Sequence, residues 1–173
     1  MPETRLSAAM PEARLSADQI AQLAAAARDA TPLALLRAAG AVGREAMGHR
    51  LCTAMRYDAG AMTVRRIYSS DEAAYPVGGA KPKRGTDWDR QVLLQAQVFV
   101  GEGEAAIRAH FADHALIAGL GLRSIVNVPV VLRGECRGTI NFLWPELRVT
   151  PPRRAMAELL GLVVGSEWVV PVQ

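Results

Sequence analysis

The segment Ser124 to Trp144 does most to limit the folds open to this chain. Ser124-Ile125-Val126-Asn127-Val128-Pro129-Val130-Val131-Leu132 and Cys136 to Trp144 are rich in β-branched residues and separated only by Arg133-Gly134-Glu135. That is the pattern of an antiparallel hairpin. Both strands are apolar at odd and even positions alike, so the sheet they enter needs cover on both faces. Leu51 to Tyr57 and Met62 to Tyr68, with Asp58-Ala59-Gly60 between them, predict a second hairpin.

Helices supply the cover. Ser16 with Gln19 three residues later reads as a capping box opening an Ala-rich helix to about Asp29. Thr31-Pro32 predicts a restart, with threonine as cap and proline at the first helical position, running through Leu33, Leu36 and Ala39 toward Met47. Thr150-Pro151 marks a terminal helix to about Trp168 in the same way, with Met156, Leu159, Leu160 and Val163 on one side. Between the hairpins, Thr86 or Asp87 can cap a short helix holding Trp88, Val92 and Leu93. A short strand follows at Gln97 to Val100, then a helix over roughly 105–119. This order predicts an α+β domain around one mostly antiparallel sheet. Residues 1–15, with a near-duplicated Pro-Glu-Xaa-Arg-Leu-Ser-Ala, read as a flexible leader, and 16–173 as a single domain.

Composition removes several function classes. The 20 basic residues, all but two of them arginine, are scattered among 17 acids, which does not describe a nucleic-acid surface. No apolar run reaches the roughly 18 residues of a membrane span, and charges interrupt the N-terminus where a secretory segment would be apolar, so a cytoplasmic protein is expected. Cys52 and Cys136 lack metal-binding spacing and read as free thiols. Half of the 30 alanines fall in the first 50 residues. Small side chains let helices approach closely, and a homodimer through the N- and C-terminal helices is expected.

The most informative irregular stretch is Ser69 to Gly85, dense in Ser, Asp, Pro, Gly and Lys. Loops longer than about 12–15 residues inside compact domains often cover a site. Its Lys81, Lys83 and Arg84 form the one local basic cluster, read either as a solvated loop or as an anion contact.

Taken together, Leu120-Gly121-Leu122-Arg123 leading into the Ser124 strand, Pro129, Gly134 and Gly138-Thr139-Ile140-Asn141 resemble the GAF domain, a small-molecule sensory fold. Tyr75-Pro76-Val77-Gly78-Gly79, Lys81-Pro82 and Thr86-Asp87-Trp88 are similar to a bacterial single-domain subgroup of that family. The resemblance spans about residues 32–168. It implies a sheet of five or six strands, with terminal helices on one face and a pocket on the other, roofed by the long loop and middle helices.

Eight residues are candidates for the site. Tyr75, Trp88 and Phe99 are scarce aromatics, two of them flanking the loop, that would stack on a planar ligand or anchor the roof. Arg84 would face an anion. Asp113 and His114 sit at a helix end as solvated groups or as polar ligand contacts, and His110 with His114 at i, i+4 has no third ligand to complete a metal site. Asn127 and Asn141 interrupt apolar strands, where an unpartnered buried amide costs about 1–3 kcal/mol. Their facing depends on the turn: a two-residue loop at Arg133-Gly134 puts Asn127 on the face of Ile140 and Phe142, a three-residue loop pairs it with Asn141.

No nucleophile elbow, phosphate-cradling glycine loop or acid pair is present in the sequence. The expected function is therefore a sensory or regulatory module that binds a small polar or anionic metabolite, needs no cofactor and performs no chemistry. The alternatives are a redox enzyme of the free methionine sulfoxide reductase type, which this cysteine count does not favour, and a pure dimerisation module.

Overall fold

The structure is a computed structural model describing residues 13–83 and 85–169. Six strands, β1 (Leu51–Asp58), β2 (Thr63–Ser69), β3 (Ala80–Pro82), β4 (Phe99–Glu102), β5 (Ser124–Leu132) and β6 (Glu135–Trp144), form one sheet in the order β3-β2-β1-β6-β5-β4. Every neighbouring pair is antiparallel. Helix α2 (Ala34–Met47) and α5 (Pro151–Val163) cover one face, with α1 (Ala17–Ala26) packed on α2. The other face carries a π-helix (Asp89–Leu94), α3 (Glu104–His110) and α4 (His114–Gly119). This is the expected α+β arrangement.

Alternation divides the strands between two cores. Ala54, Val126, Val128, Ile140, Phe142 and Trp144 join Leu36, Val42 and Leu160 on the helix side. Leu51, Tyr57, Ile125 and Leu143 join Trp88, Val92, Phe99 and Ile117 on the other. Burial of such side chains stabilises the fold by about 1.5–3 kcal/mol apiece.

The Ser16 and Thr150 helix starts form as read. Ser16 Oγ accepts from the Gln19 amide at 3.2 Å while the Gln19 side chain accepts from the Ser16 amide at 2.9 Å. Thr150 Oγ1 accepts from the Arg153 amide ahead of Pro151. Helix α2 departs from expectation: Thr31-Pro32 forms a turn, Leu33 takes a left-handed conformation at φ 63°, and the helix begins at Ala34. Its cap comes from far along the chain, where Glu167 Oε1 accepts from the Leu35 amide at 2.8 Å. An ionised carboxylate at a helix N-terminus satisfies an orphan donor and complements the dipole, so a local threonine is not needed.

Four other expectations change. The Ser69 to Gly85 loop contains strand β3, short but paired with β2 from Thr63↔Pro82 to Arg65↔Ala80. The helix expected over 105–119 is two helices, because Phe111 is extended at φ −125° and the chain turns before α4 begins; His110 and His114 therefore do not share one helix face. Leu159 is 42% exposed, while α5 faces the sheet with Met156, Ala157, Leu160 and Gly161. Leu36, on one of the helices expected to form the homodimer face, is fully buried. Most of the expected leader, together with Arg84, lies outside the described residues; Ala13 and Leu15 at its end pack on the helix-side core.

The hairpin register resolves unexpectedly. Leu132 pairs with Glu135 across a two-residue turn with Arg133 and Gly134 both at positive φ, yet Asn127 pairs with Asn141. A bulge between Val130 and Val131 reconciles the two, since Val131 faces Cys136 and Val130 faces Gly138, leaving Arg137 as the extra residue. A Cβ at Gly138 would collide with the Met55 carbonyl and the Trp168 indole nitrogen, so only glycine lets the bulge sit against β1.

Candidate functional site

The register places a row of side chains across the sheet, Thr53 on β1, Asn141 on β6, Asn127 on β5 and Phe99 on β4. Three of them meet Trp88 in a directed hydrogen-bond chain. Trp88 Nε1 donates to Asn127 Oδ1 at 2.8 Å, Asn127 Nδ2 donates to Asn141 Oδ1 at 2.7 Å, and Asn141 Nδ2 donates to Thr53 Oγ1 at 3.1 Å. The buried amides are thus satisfied by one another and by the roof. Trp88 sits on the turn that enters the π-helix, where Thr86 Oγ1 accepts from the Asp89 amide and Asp89 Oδ2 accepts from the Thr86 amide, both at 3.1 Å.

Above this row lies a cavity of about 310 Å³. Thr53, Asn127 and Asn141 form its polar floor, and Met55, Ile125 and Leu143 the apolar part. Trp88, Phe111, Ala112, Asp113 and Ile117 contribute the roof, and Tyr75, Lys81, Pro82 and Lys83 close one side from the long loop. The volume equals that of roughly ten waters at ~30 Å³ each. It falls in the usual range for small-ligand sites.

The loop is pinned across the mouth by Asp113. Tyr75 Oη donates to Asp113 Oδ2, and Lys81 Nζ pairs with the same oxygen at 3.0 Å. The Arg66 guanidinium lies 4.2 Å from the Tyr75 ring centroid. Burial raises the Tyr75 phenol's pKa, and its bond to Asp113 raises it further, so the hydroxyl remains a donor. Burial works against ionisation of Asp113, but the Tyr75 and Lys81 hydrogen bonds outweigh it and hold the carboxyl below its ordinary value. Lys83 lies with Nζ 4.5 Å from the Trp88 ring centroid, and burial lowers its pKa.

Of the sequence candidates, Tyr75, Trp88, Asp113, Asn127 and Asn141 converge on the cavity. Phe99 does not reach it: its ring packs edge-on against His110 at 4.8 Å and Phe111 at 5.9 Å. His114 Nδ1 lies 3.0 Å from the Phe111 carbonyl oxygen and is also outside the lining. Arg84 is outside the described residues, and the basic cluster reaches the cavity through Lys81 and Lys83. The sequence reading of the strands missed Ile125 and Leu143, although each is two residues from an asparagine and so shares its face. Thr53 and Met55 follow only from the β1 to β6 register.

The thiols do not meet. Cys52 is fully buried on the helix side, and burial raises its pKa. Cys136 is half-buried on the opposite side with Sγ donating to the Gly138 carbonyl at 3.3 Å. Among the described residues no group of three or more His, Cys, Asp or Glu could hold a metal, and no helix is long and apolar enough to cross a membrane.

The antiparallel order, with terminal helices on one face and a roofed cavity on the other, defines an α+β sandwich domain; solved structures give that class its particular form. The GAF domain of a phosphoenolpyruvate-protein phosphotransferase from Coxiella burnetii is 15% identical, with a TM-score of 0.69 over 87% of this chain and 90% of that one. The corresponding GAF domain from Acinetobacter is 13% identical, with a TM-score of 0.67 over 90% and 95%. The GAF domain of a two-component sensor histidine kinase from Bacillus halodurans is 17% identical, with a TM-score of 0.56 over 70% and 83%. The fold of this chain is that of GAF domains. No protein-family model and no curated protein matches the sequence.

Proposed function

We propose that this chain is a sensory or regulatory module that binds a small polar or anionic metabolite in the cavity and leaves it chemically unchanged. The observation that carries this reading is the cavity itself, floored by the Trp88–Asn127–Asn141–Thr53 chain and flanked at its mouth by a pinned loop. The fold's occurrence in a sensor histidine kinase and in a methyl-accepting chemotaxis protein supports it. The lining offers hydrogen bonds, apolar walls and charge. Occupancy would be read through a second copy packed on the outer helices, where Ile20 is 55% exposed, Leu159 42% and Leu162 78%.

A thermal-shift screen of small metabolites against the wild type and Ala112→Trp tests this. Ala112 lines the cavity from the exposed rim, so a large side chain there fills the space without entering either core. A metabolite that raises the wild-type Tm, fails to raise the variant's and is recovered intact is the expected result. Turnover of the metabolite, or equal shifts in both proteins, overturns the reading. Light scattering on the same samples is expected to give twice 18.6 kDa, and a monomer removes the second copy.

A further inference from the structure

The charged side chains on the cavity wall are unequally committed. Asp113 Oδ2 already accepts from both Tyr75 and Lys81, so that acid and that ammonium satisfy each other. Lys83 is held by its backbone, whose amide donates to the Met62 carbonyl at 2.8 Å, and its Nζ rests over the Trp88 ring. No carboxylate among the described residues lies within ion-pair distance of that Nζ. The Asp89 and Asp113 carboxylates act on this half-buried ammonium only from beyond ion-pair distance, and its close contact is an aromatic face, which leaves its hydrogen-bond donors open to an anion.

The surroundings limit which anion fits. Trp88, Phe111 and Tyr75 bring rings to the cavity from three separate segments, and Ile117, Ile125 and Leu143 make its walls apolar, so the ligand body is flat and apolar. The volume accommodates a single substituted ring. Among the described lining residues one uncommitted ammonium matches one negative charge, and a second charge would meet the Asp113 carboxylate, whose Lys81 partner is already engaged.

We propose that the ligand of this cavity is an aromatic monocarboxylate, its carboxylate paired with Lys83 Nζ and its ring among Trp88, Phe111 and Tyr75. This rests on the binding reading above and names its ligand class. The floor favours a ring that also carries a hydroxyl, because Asn127 Nδ2 keeps one N–H after bonding Asn141 and Thr53 Oγ1 keeps its own hydrogen to donate. Burial depresses the Lys83 pKa, with Asp89 and Asp113 acting against that and Lys81 adding to it. A bound carboxylate reverses the depression, so affinity falls as pH rises through the Lys83 pKa, which lies below the ordinary lysine value.

Benzoate and 4-hydroxybenzoate are the probes, with benzamide as the neutral isostere and phenyl phosphate as the dianion, each at millimolar concentration in thermal shift and calorimetry. The acids are expected to bind at least about tenfold more tightly than benzamide or phenyl phosphate, consistent with a hydrogen bond to a charged group. Lys83→Gln is expected to erase the preference for acid over amide, and Lys83→Arg to keep it. Benzamide equalling benzoate, phenyl phosphate binding more tightly, no probe binding, or a preference that survives Lys83→Gln each overturns the proposal. Ala112→Trp separates it from the reading beneath. A benzamide shift that disappears in that variant keeps the pocket while removing the monocarboxylate; acid shifts that persist in it remove the pocket as well.

Discussion

The two faces of the sheet are built from the same three strands and do opposite things with their space. Toward the terminal helices, Ala54, Val126, Ile140, Phe142 and Trp144 are fully buried against Leu36, Val42 and Leu160. One residue along each strand, Thr53, Asn127 and Asn141 turn polar groups toward a hollow of about 310 Å³. Close packing supplies rigidity on one side and leaves the other free to give up contacts for a binding space. A strand buried on both faces is thus not one environment but two, interleaved with period two.

The largest test of this contrast compares neighbours in β6. Phe142→Ala empties a packed site and is expected to lower stability by about 3–5 kcal/mol, whereas Leu143→Ala widens an existing hollow and stays near the lower end for such truncations, about 2 kcal/mol. Urea unfolding of both variants measures the difference, and equal losses would mean that the cavity wall is as tightly packed as the core.

Acid should separate the faces by pH. His49 packs edge-on against Phe142 at 5.0 Å, and burial drives its pKa down to about 4, against a weaker opposing hydrogen bond to Gly43. Between about 6.5 and 4 the unfolded chain then binds more protons at this site than the folded one, so stability falls as pH falls through that window, by about 3 kcal/mol in all. On the cavity side Asp113 has a depressed pKa and contributes stability above the ordinary carboxylate value that is lost only at still lower pH. His49→Phe should flatten stability between pH 6.5 and 4 in denaturant titrations; a profile unchanged from wild type would assign the acid sensitivity elsewhere.

The smallest effect is expected on the floor. Asn127→Ala leaves the Trp88 N–H and the Asn141 carbonyl oxygen without their partner, a loss of about 1–3 kcal/mol, reduced where water enters the hollow. Thermal unfolding with and without a bound ligand reads it. A loss as large as that of Phe142→Ala would show the polar chain to be part of the rigid core.

What the sequence made legible follows the same division. The hairpins and the Ser16 and Thr150 caps announce themselves because each depends on residues within a few positions of one another. Asn127, Asn141 and Trp88 were visible as polar or scarce groups where apolar residues were due. The bulge that brings the asparagines together was not, because it depends on Gly138 fitting against Met55 and Trp168, contacts made only after the sheet and the last turn have assembled. Phe99 looked equal to Trp88 by type and position, yet the break between α3 and α4 gave it Phe111 and His110 to pack on.

The cap on α2 has a consequence for the order in which the domain can assemble during synthesis. Glu167 supplies that cap from the 3₁₀ turn Val164–Trp168, 132 residues after Leu35, and its carbonyl also accepts from Arg56 Nη2 at 3.2 Å. The central strand β1 likewise waits for β6 to reach it. A ribosome releasing this chain N-terminus first therefore leaves the first turn of α2 and one edge of β1 exposed until Glu167 and β6 have been made. Such late, distant closures make folding slow relative to chain length. The hairpin β1–β2 is complete early and idle, and the helix-side core is finished only when the turn Val164–Trp168 emerges.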